Sequence, residues 1–245
     1  MASSAKRSII WFRRDLRIGD NPALNAAIEA GEEVVPVFIL DPKLIKSGGS
    51  KRLAYLGQSL RELDKSLNNN LQVIAGDQIE TIKELQKKYN ADSVHISAEY
   101  EPYGAARDAK VEAAGINLVR TGSPYAVAPG RVRKPSDDTP YKVYTPFYRA
   151  WLLHGWRAPA PTPKNIPTVK ADSDSRNFPD WQLPEGVELT AAGEAAALPR
   201  GLSPPFRPLP RPRAGGAGDR RVRRRLARHV ARLFRCGHAH LRRGC

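Results

Sequence analysis

SIIWFRRDLRIGDNPALNAAIEAGEEVVPVFIL, residues 8–40, reads as a strand, a charged turn, a helix and a second strand, and this order decides the fold. SIIWF (8–12) and VVPVFIL (34–40) are short, nearly continuous apolar runs, not alternating ones. Strands that are apolar on both faces belong in a parallel sheet, because the helical crossovers between parallel strands cover both sides. Between the two runs, NPALNAAIEAG (21–31) opens with Asn21 as a candidate N-cap and stops at Gly31. Pro22 stands at the first helical position, where its missing N–H costs nothing. Leu24, Ala27 and Ile28 fall at helical spacing.

Three more runs of the same kind follow, LQVIAG (71–76), SVHIS (93–97) and INLVR (116–120). Helical stretches separate them. From about Ser50 to Leu67, Leu53, Leu56, Leu60, Leu63 and Leu67 share one face. DQIETIKELQKKY (77–89) begins with Asp77 and carries Lys87 and Lys88 in its last turn, as the helix dipole favours. A further helix spans roughly Gly104 to Ala114 and ends at Gly115. The alternation predicts an α/β fold with a doubly wound, five-stranded parallel sheet, Rossmann-like, whose ligands sit beyond the carboxyl ends of the strands. No GxGxxG follows the first strand, so a dinucleotide-binding dehydrogenase is disfavoured.

After residue 120 the texture changes. Residues 121–148 are rich in Gly, Pro, Tyr and Thr and read as an irregular connector, with a helix beginning near Pro146. Residues 157–189 carry too many prolines for a packed domain and read as a linker crossing a surface. TAAGEAAAL (190–198) reads as the opening of a helix capped by Thr190. The predicted organisation is an α/β domain over 1–130, a connector over 131–198 and an unstructured Arg/Pro-rich tail over 199–245.

The formal net charge of +15 is concentrated in that tail. Residues 200–245 hold 14 Arg, no Lys and one acid, Asp219, a net of +13, which leaves +2 for the rest. Two cysteines, Cys236 and Cys245, exclude a disulfide-stapled class. No apolar run reaches the length of a membrane span and the start does not read as a signal peptide, so a cytoplasmic protein is expected.

WFRRDLRIGDNPAL (11–24) places Arg13, Arg14, Asp15, Arg17 and Asp20 directly after a strand. These form either a buried ion-pair network at the strand exit or a solvated charged loop. Glu99, Glu101 and Asp108 follow the fourth strand, at a sheet end suited to a ligand pocket and equally at a helix N-terminus that collects acids. His95 and His154 have no partner at metal-ligand spacing, Cys236, His238 and His240 lack a second cysteine pair, and GxSxG does not occur.

WFRRDLRIGDNPAL, VPVFILDP, AEYEPYGAARD and YKVYTPFYRAW, in that order, resemble the amino-terminal antenna domain of the DNA photolyase and cryptochrome family over residues 8 to about 198. The resemblance implies a light-harvesting folate or deazaflavin in the α/β domain and FAD in a following helical domain. It also implies light-driven repair of cyclobutane pyrimidine dimers in DNA, a carbon–carbon lyase reaction on a base flipped from the duplex. Folate-binding members carry an Asn-Glu pair where Tyr103 and Gly104 stand here, and the EPYG string (101–104) is closer to deazaflavin-type members. The resemblance then implies an antenna pocket lined by Phe38, Leu40, Asp41, Arg52, Glu99 and Glu101, with Glu99 in place of an expected Asp.

The tail departs from the family, which continues with the helical FAD domain. Its Arg, Pro, Gly and Ala richness predicts a frameshift near residue 199, which leaves no catalytic residue in the chain and a fragment inactive in repair. The expected partner is damaged DNA, without membrane or metal, and the expected state is a monomer. A cryptochrome-type blue-light receptor shares the same motifs. A nucleic-acid-binding module acting through the Arg-rich tail is the alternative of another class.

Overall fold

Successive side chains of a strand point to opposite sides of its sheet, and the first strand sorts the core accordingly. Ile9 and Trp11 enter one apolar cluster, Ile10 and Phe12 the other. The computed structural model describes residues 6–202, and the tail from 203 onward, with Cys236, His238, His240 and Cys245, lies outside the described residues. In chain order the elements are β1 (Arg7–Phe12), α1 (Pro22–Ala30), β2 (Glu33–Leu40), α2 (Pro42–Ser47), α3 (Ser50–Ser66), β3 (Gln72–Ala75), α4 (Gln78–Tyr89), β4 (Ala91–Ile96), α5 (Pro102–Ala113), β5 (Leu118–Arg120), α6 (Tyr144–His154), a 3-10 turn (Ser173–Ser175) and α7 (Glu194–Leu202). All strand pairs are parallel and the order is β3-β2-β1-β4-β5, the doubly wound five-stranded sheet that the apolar runs predict.

One face is covered by α4 and α5 through Ile82, Leu85 and Val111, the other by α1 and α3 through Leu24, Ala27, Leu60 and Leu63. Asn21 caps α1 by accepting from Leu24 N at 3.1 Å, and Asp77 caps α4 by accepting from Ile79 N at 2.8 Å. Among the described residues no helix is long and apolar enough to cross a membrane.

Pro36 lies in β2, a central strand, where a missing N–H normally leaves a hole in the ladder. Here it does not. Val34 N donates to Pro167 O at 2.7 Å and Val34 O accepts from Val169 N at 2.9 Å, so this side of β2 is paired with the connector. Pro36, two residues on, faces the same side just before β3 pairing begins at Val37 opposite Gln72. The proline therefore stands where no strand neighbour is waiting.

Residues 166–181, within the stretch read as a linker crossing a surface, are a strap packed on the domain. Ile166 is buried and Phe178 and Trp181 pack against the same cluster. Arg176 pairs bidentately with Asp64 at the end of α3, Nη2–Oδ2 2.7 Å and Nη1–Oδ1 3.0 Å, and Asp64 Oδ1 also accepts from Leu71 N at 2.9 Å. The predicted start of the last helix moves from Thr190 to Glu194. Gly193 has φ +91°, a conformation that interrupts the helix before it begins. The Glu194 carboxylate reaches back to accept from Ile18 N at 3.0 Å and Gly19 N at 3.1 Å, tying α7 to the β1–α1 loop.

His95 on β4 is a packed core residue. Its Nε2 lies 3.0 Å from Ser93 Oγ, its Nδ1 has no hydrogen-bond partner among the described residues, and burial lowers its pKa from the ordinary 6.5. Such a group contributes stability above the unfolded value that is lost as pH falls through the lowered one, because the unfolded chain takes up the proton first. Urea unfolding as a function of pH is expected to show falling stability below pH 6.5, and His95→Gln to flatten that slope; identical slopes would refute the assignment. Leu60, fully buried, is expected to cost about 2–5 kcal/mol on replacement by Ala. Leu44→Ala, on the exposed surface of α2, is expected to stay within about 0.5 kcal/mol in the same titration.

Candidate functional site

β1 delivers Arg13 to the carboxyl end of the sheet, where its side chain is 5% exposed. An unpaired buried guanidinium would cost several kcal/mol, so the surroundings must supply charge. Arg13 Nη1 lies 2.6 Å from Asp108 Oδ1, Nε lies 3.3 Å from Glu99 Oε1, and Nη2 donates to Ser97 O. Arg107, one helical step before Asp108, completes the set with Nη2 at 2.9 Å from Asp108 Oδ1 and 3.4 Å from Glu99 Oε2. Both guanidinium groups stand over the Trp11 ring, 5.1 and 4.9 Å from its centroid. Two cations and two anions thus close a neutral quartet on an aromatic floor.

Burial lowers the Arg13 pKa, Arg107 pushes it the same way, and Asp108 and Glu99 oppose them. Asp15 supports the quartet from the loop, accepting from Ser97 Oγ at 2.5 Å and from Arg13 N at 3.3 Å.

The two readings of the charged loop therefore divide by residue. Arg13 and Asp15 are buried in the network. Arg14 is half in solvent and pairs with Glu101 at 2.6 Å, a hydrogen bond that raises its pKa. Arg17 donates to Gly19 O and Asp20 O. Asp20, at φ +46°, binds Arg157 at 2.5 Å and Ala160 N at 2.8 Å. Burial alone would raise the Asp20 pKa, but the Ala160 N–H, Arg157 and Arg17 bring it below the usual value.

Of the residues predicted to line an antenna pocket, Phe38 and Leu40 pack in the apolar cluster with Ile10, Phe12 and Leu60. Asp41 is buried, caps α2 by accepting from Lys43 N at 2.9 Å, and accepts from Tyr103 Oη of α5. The hydrogen bond to Asp41 raises the Tyr103 pKa. Arg52 is exposed on α3. Glu99 lies within the quartet and Glu101 outside it. α5 is the shared support: its first turn holds Tyr103 against Asp41 and, one residue later, Gly104 against Glu99. A Cβ at Gly104 would fall on the Glu99 carboxylate.

Sequence reasoning gave no site role to Arg107 or Trp11, and used Tyr103 only to separate folate-type from deazaflavin-type members. The signal available was spacing: on a helix opening at Pro102, Gly104, Arg107 and Asp108 lie three and four residues apart and share one face.

Removing Arg13 leaves Asp108 and Glu99 buried without their main cation. Arg13→Met is expected to cost about 3–5 kcal/mol in urea unfolding at pH 7, and Arg14→Met under about 1 kcal/mol. Equal costs would show that the quartet carries no special weight.

The assembly of charged loop, α5 turn and parallel sheet has known relatives. The DNA photolyase family model matches residues 8–165. A deoxyribodipyrimidine photo-lyase of Thermus thermophilus is 35% identical over 195 residues, which is 78% of this chain and 44% of that protein. Cryptochrome-2 of Gallus gallus is 33% identical over 150 residues, 58% of this chain and 26% of that one. The crystal structure of a class III photolyase from Agrobacterium tumefaciens superposes with a TM-score of 0.63 at 30% identity, covering 82% of this chain and 45% of that one. The chain spans less than half the length of these relatives, and within that span its sequence, fold order and matched region agree: it belongs to the DNA photolyase family.

Proposed function

We propose that this chain is the antenna portion of a deoxyribodipyrimidine photolyase, the part that holds a light-harvesting chromophore while FAD and the damaged DNA are bound elsewhere in the whole protein. Light-driven splitting of cyclobutane pyrimidine dimers is the activity we assign to that whole protein, and to none of the described residues do we assign a catalytic role. On this reading residues 1–130 are the antenna domain and 131–198 the connector.

The observation that carries the reading is helix α6. None of its residues is buried, and Val143 at its N-cap, Tyr144 and Phe147, which share one side, are 63, 50 and 37% exposed. An apolar helix face of this kind marks an interaction surface, and the longer relatives have the additional chain to cover it.

The chromophore we assign is a deazaflavin rather than a folate, held by Phe38, Leu40, Asp41, Arg52, Glu99 and Glu101. Support comes from α5. The position where folate-binding members carry Glu is Gly104, and any side chain there would displace the Glu99 carboxylate from Arg13 and Arg107. Tyr103 at the neighbouring position is already engaged with Asp41. A cryptochrome-type light receptor is the second reading, favoured by the 33% identity to a vertebrate cryptochrome.

Reconstitution of the purified chain with a deazaflavin and, separately, a folate distinguishes the chromophores. Deazaflavin absorbance is expected to remain with the protein through gel filtration and to fall several-fold in Arg52→Glu; retention of folate alone would overturn the assignment. Illumination of the chain with dimer-containing DNA is expected to give no repair.

A further inference from the structure

The extended segment that leaves β4 has two sides. Glu99 and Glu101 turn toward Arg13 and Arg14, while Ala98 and Tyr100 turn into a cavity of about 660 Å³ that the antenna assignment does not use. Its other walls come from Gly122, Ser123 and Tyr125–Ala128 beyond β5, from Arg131, and from His154–Arg157 at the end of α6. We propose that this cavity is a second ligand site, for a nucleoside monophosphate or a closely similar phosphate-bearing planar heterocycle.

The volume falls within the range of small-molecule sites, and the cavity lies beyond the carboxyl ends of β4 and β5, where open α/β sheets bind ligands. The chemistry of the lining selects the class. Arg120, Arg131, Arg157 and His154 contribute cationic or protonatable groups, and no Asp or Glu is among the lining residues. Arg120 and Arg157 are each partly neutralised from outside the cavity, by Glu112 and Asp20. Arg131 is in no ion pair among the described residues, and its exposed side chain leaves its charge for an anion. Guanidinium forks match phosphate oxygens bidentately.

The remaining walls are aromatic. Tyr100 and Tyr125 meet edge to face at 6.2 Å and 65°. Trp156 is braced by stacking on Trp151 at 5.0 Å and 27°. A planar ring can lie against these surfaces while its phosphate reaches the arginines.

The backbone holds the walls in place. Thr121 N donates to Ile96 O at 2.9 Å and Ala98 N to Gly122 O at 3.0 Å, so the β4 and β5 exits are laced together. Gly122 at φ +70° lies against Pro22, where a Cβ would come within 2.8 Å of the Pro22 ring. Gly155 at φ +67° ends α6 and turns Trp156 and Arg157 to the cavity.

Adenosine 5′-monophosphate, adenosine and inorganic phosphate are the probes for calorimetry and tryptophan emission on the full chain. AMP is expected to bind saturably and quench emission, with adenosine and phosphate each at least about tenfold weaker because each offers half of the recognition. Arg131→Glu and Trp156→Ala, checked for native circular dichroism, are each expected to weaken AMP about tenfold or more. Arg52→Glu, on the antenna side, is expected to leave AMP affinity unchanged. Absence of saturable AMP binding overturns the proposal, as does binding that Arg131→Glu leaves unaltered or that Arg52→Glu abolishes. Deazaflavin retention measured on the same Arg131→Glu protein reports separately on the antenna reading.

Discussion

The burial of one arginine sets the terms for the carboxyl end of the sheet. Arg13 follows directly on β1, so its backbone position is fixed by the parallel pairing of Trp11 with Val37 and Phe12 with Phe38. Once its guanidinium is inside, the cost of desolvation demands counter-charge from other elements. Asp108 comes from the middle of α5 and Glu99 from the segment before it, so satisfying Arg13 fixes both the position and the rotation of α5. Arg107 then balances the two acids, and Trp11 offers its ring to both cations. Gly104 follows as a consequence, since the Glu99 carboxylate occupies the space that its side chain would need.

A similar dependence links the connector to the sheet. β2 is longer than β3 and would leave part of one side unpaired at Val34. Exposed strand edges invite unwanted pairing and are usually covered. Here the strap covers it, with Thr168 opposite Val34 and Arg176 opposite Val73, and a proline fills the interval. Arg176 anchors the strap by returning to Asp64, whose other duty is to accept the Leu71 N–H at the entry to β3. The same carboxylate therefore fixes the end of α3, the start of β3 and the path of a segment about a hundred residues later.

How much of this could be read from the sequence depended on the range of the interaction. The strands and α1, α3 and α4 were legible because apolar periodicity, Asn21, Pro22 and Asp77 are local signals. α2 was not, because six residues of PKLIKS give too short a pattern and none of them is buried. The strap read as a surface linker because proline content reports on local hydrogen bonding and not on where Ile166 and Arg176 are docked. Thr190 looked like a cap by residue type, but Gly193 and the distant N–H groups of Ile18 and Gly19 set the helix start. In the charged loop, FRRDLR gives no cue to which arginine is buried. That choice is made by strand parity and by acids nearly a hundred residues away, both visible only once the chain has folded.

Strand parity also governs how the sheet end distributes charge. Glu99 and Glu101 occur on one side of the β4 exit with Arg13 and Arg14, and Ala98 and Tyr100 on the other. The acids are thereby spent on arginines of the β1 loop, and none is left for the arginines beyond β5. Arg120 and Arg157 must find Glu112 and Asp20 outside the cavity, and Arg131 finds no carboxylate among the described residues. A shift of one residue at the β4 exit would exchange the two sets, placing carboxylates among the cavity arginines and leaving Arg13 buried without them. The register of β1 with β4, Ile9 opposite Val94 and Ile10 opposite His95, is therefore what holds one side of this edge neutral and the other cationic.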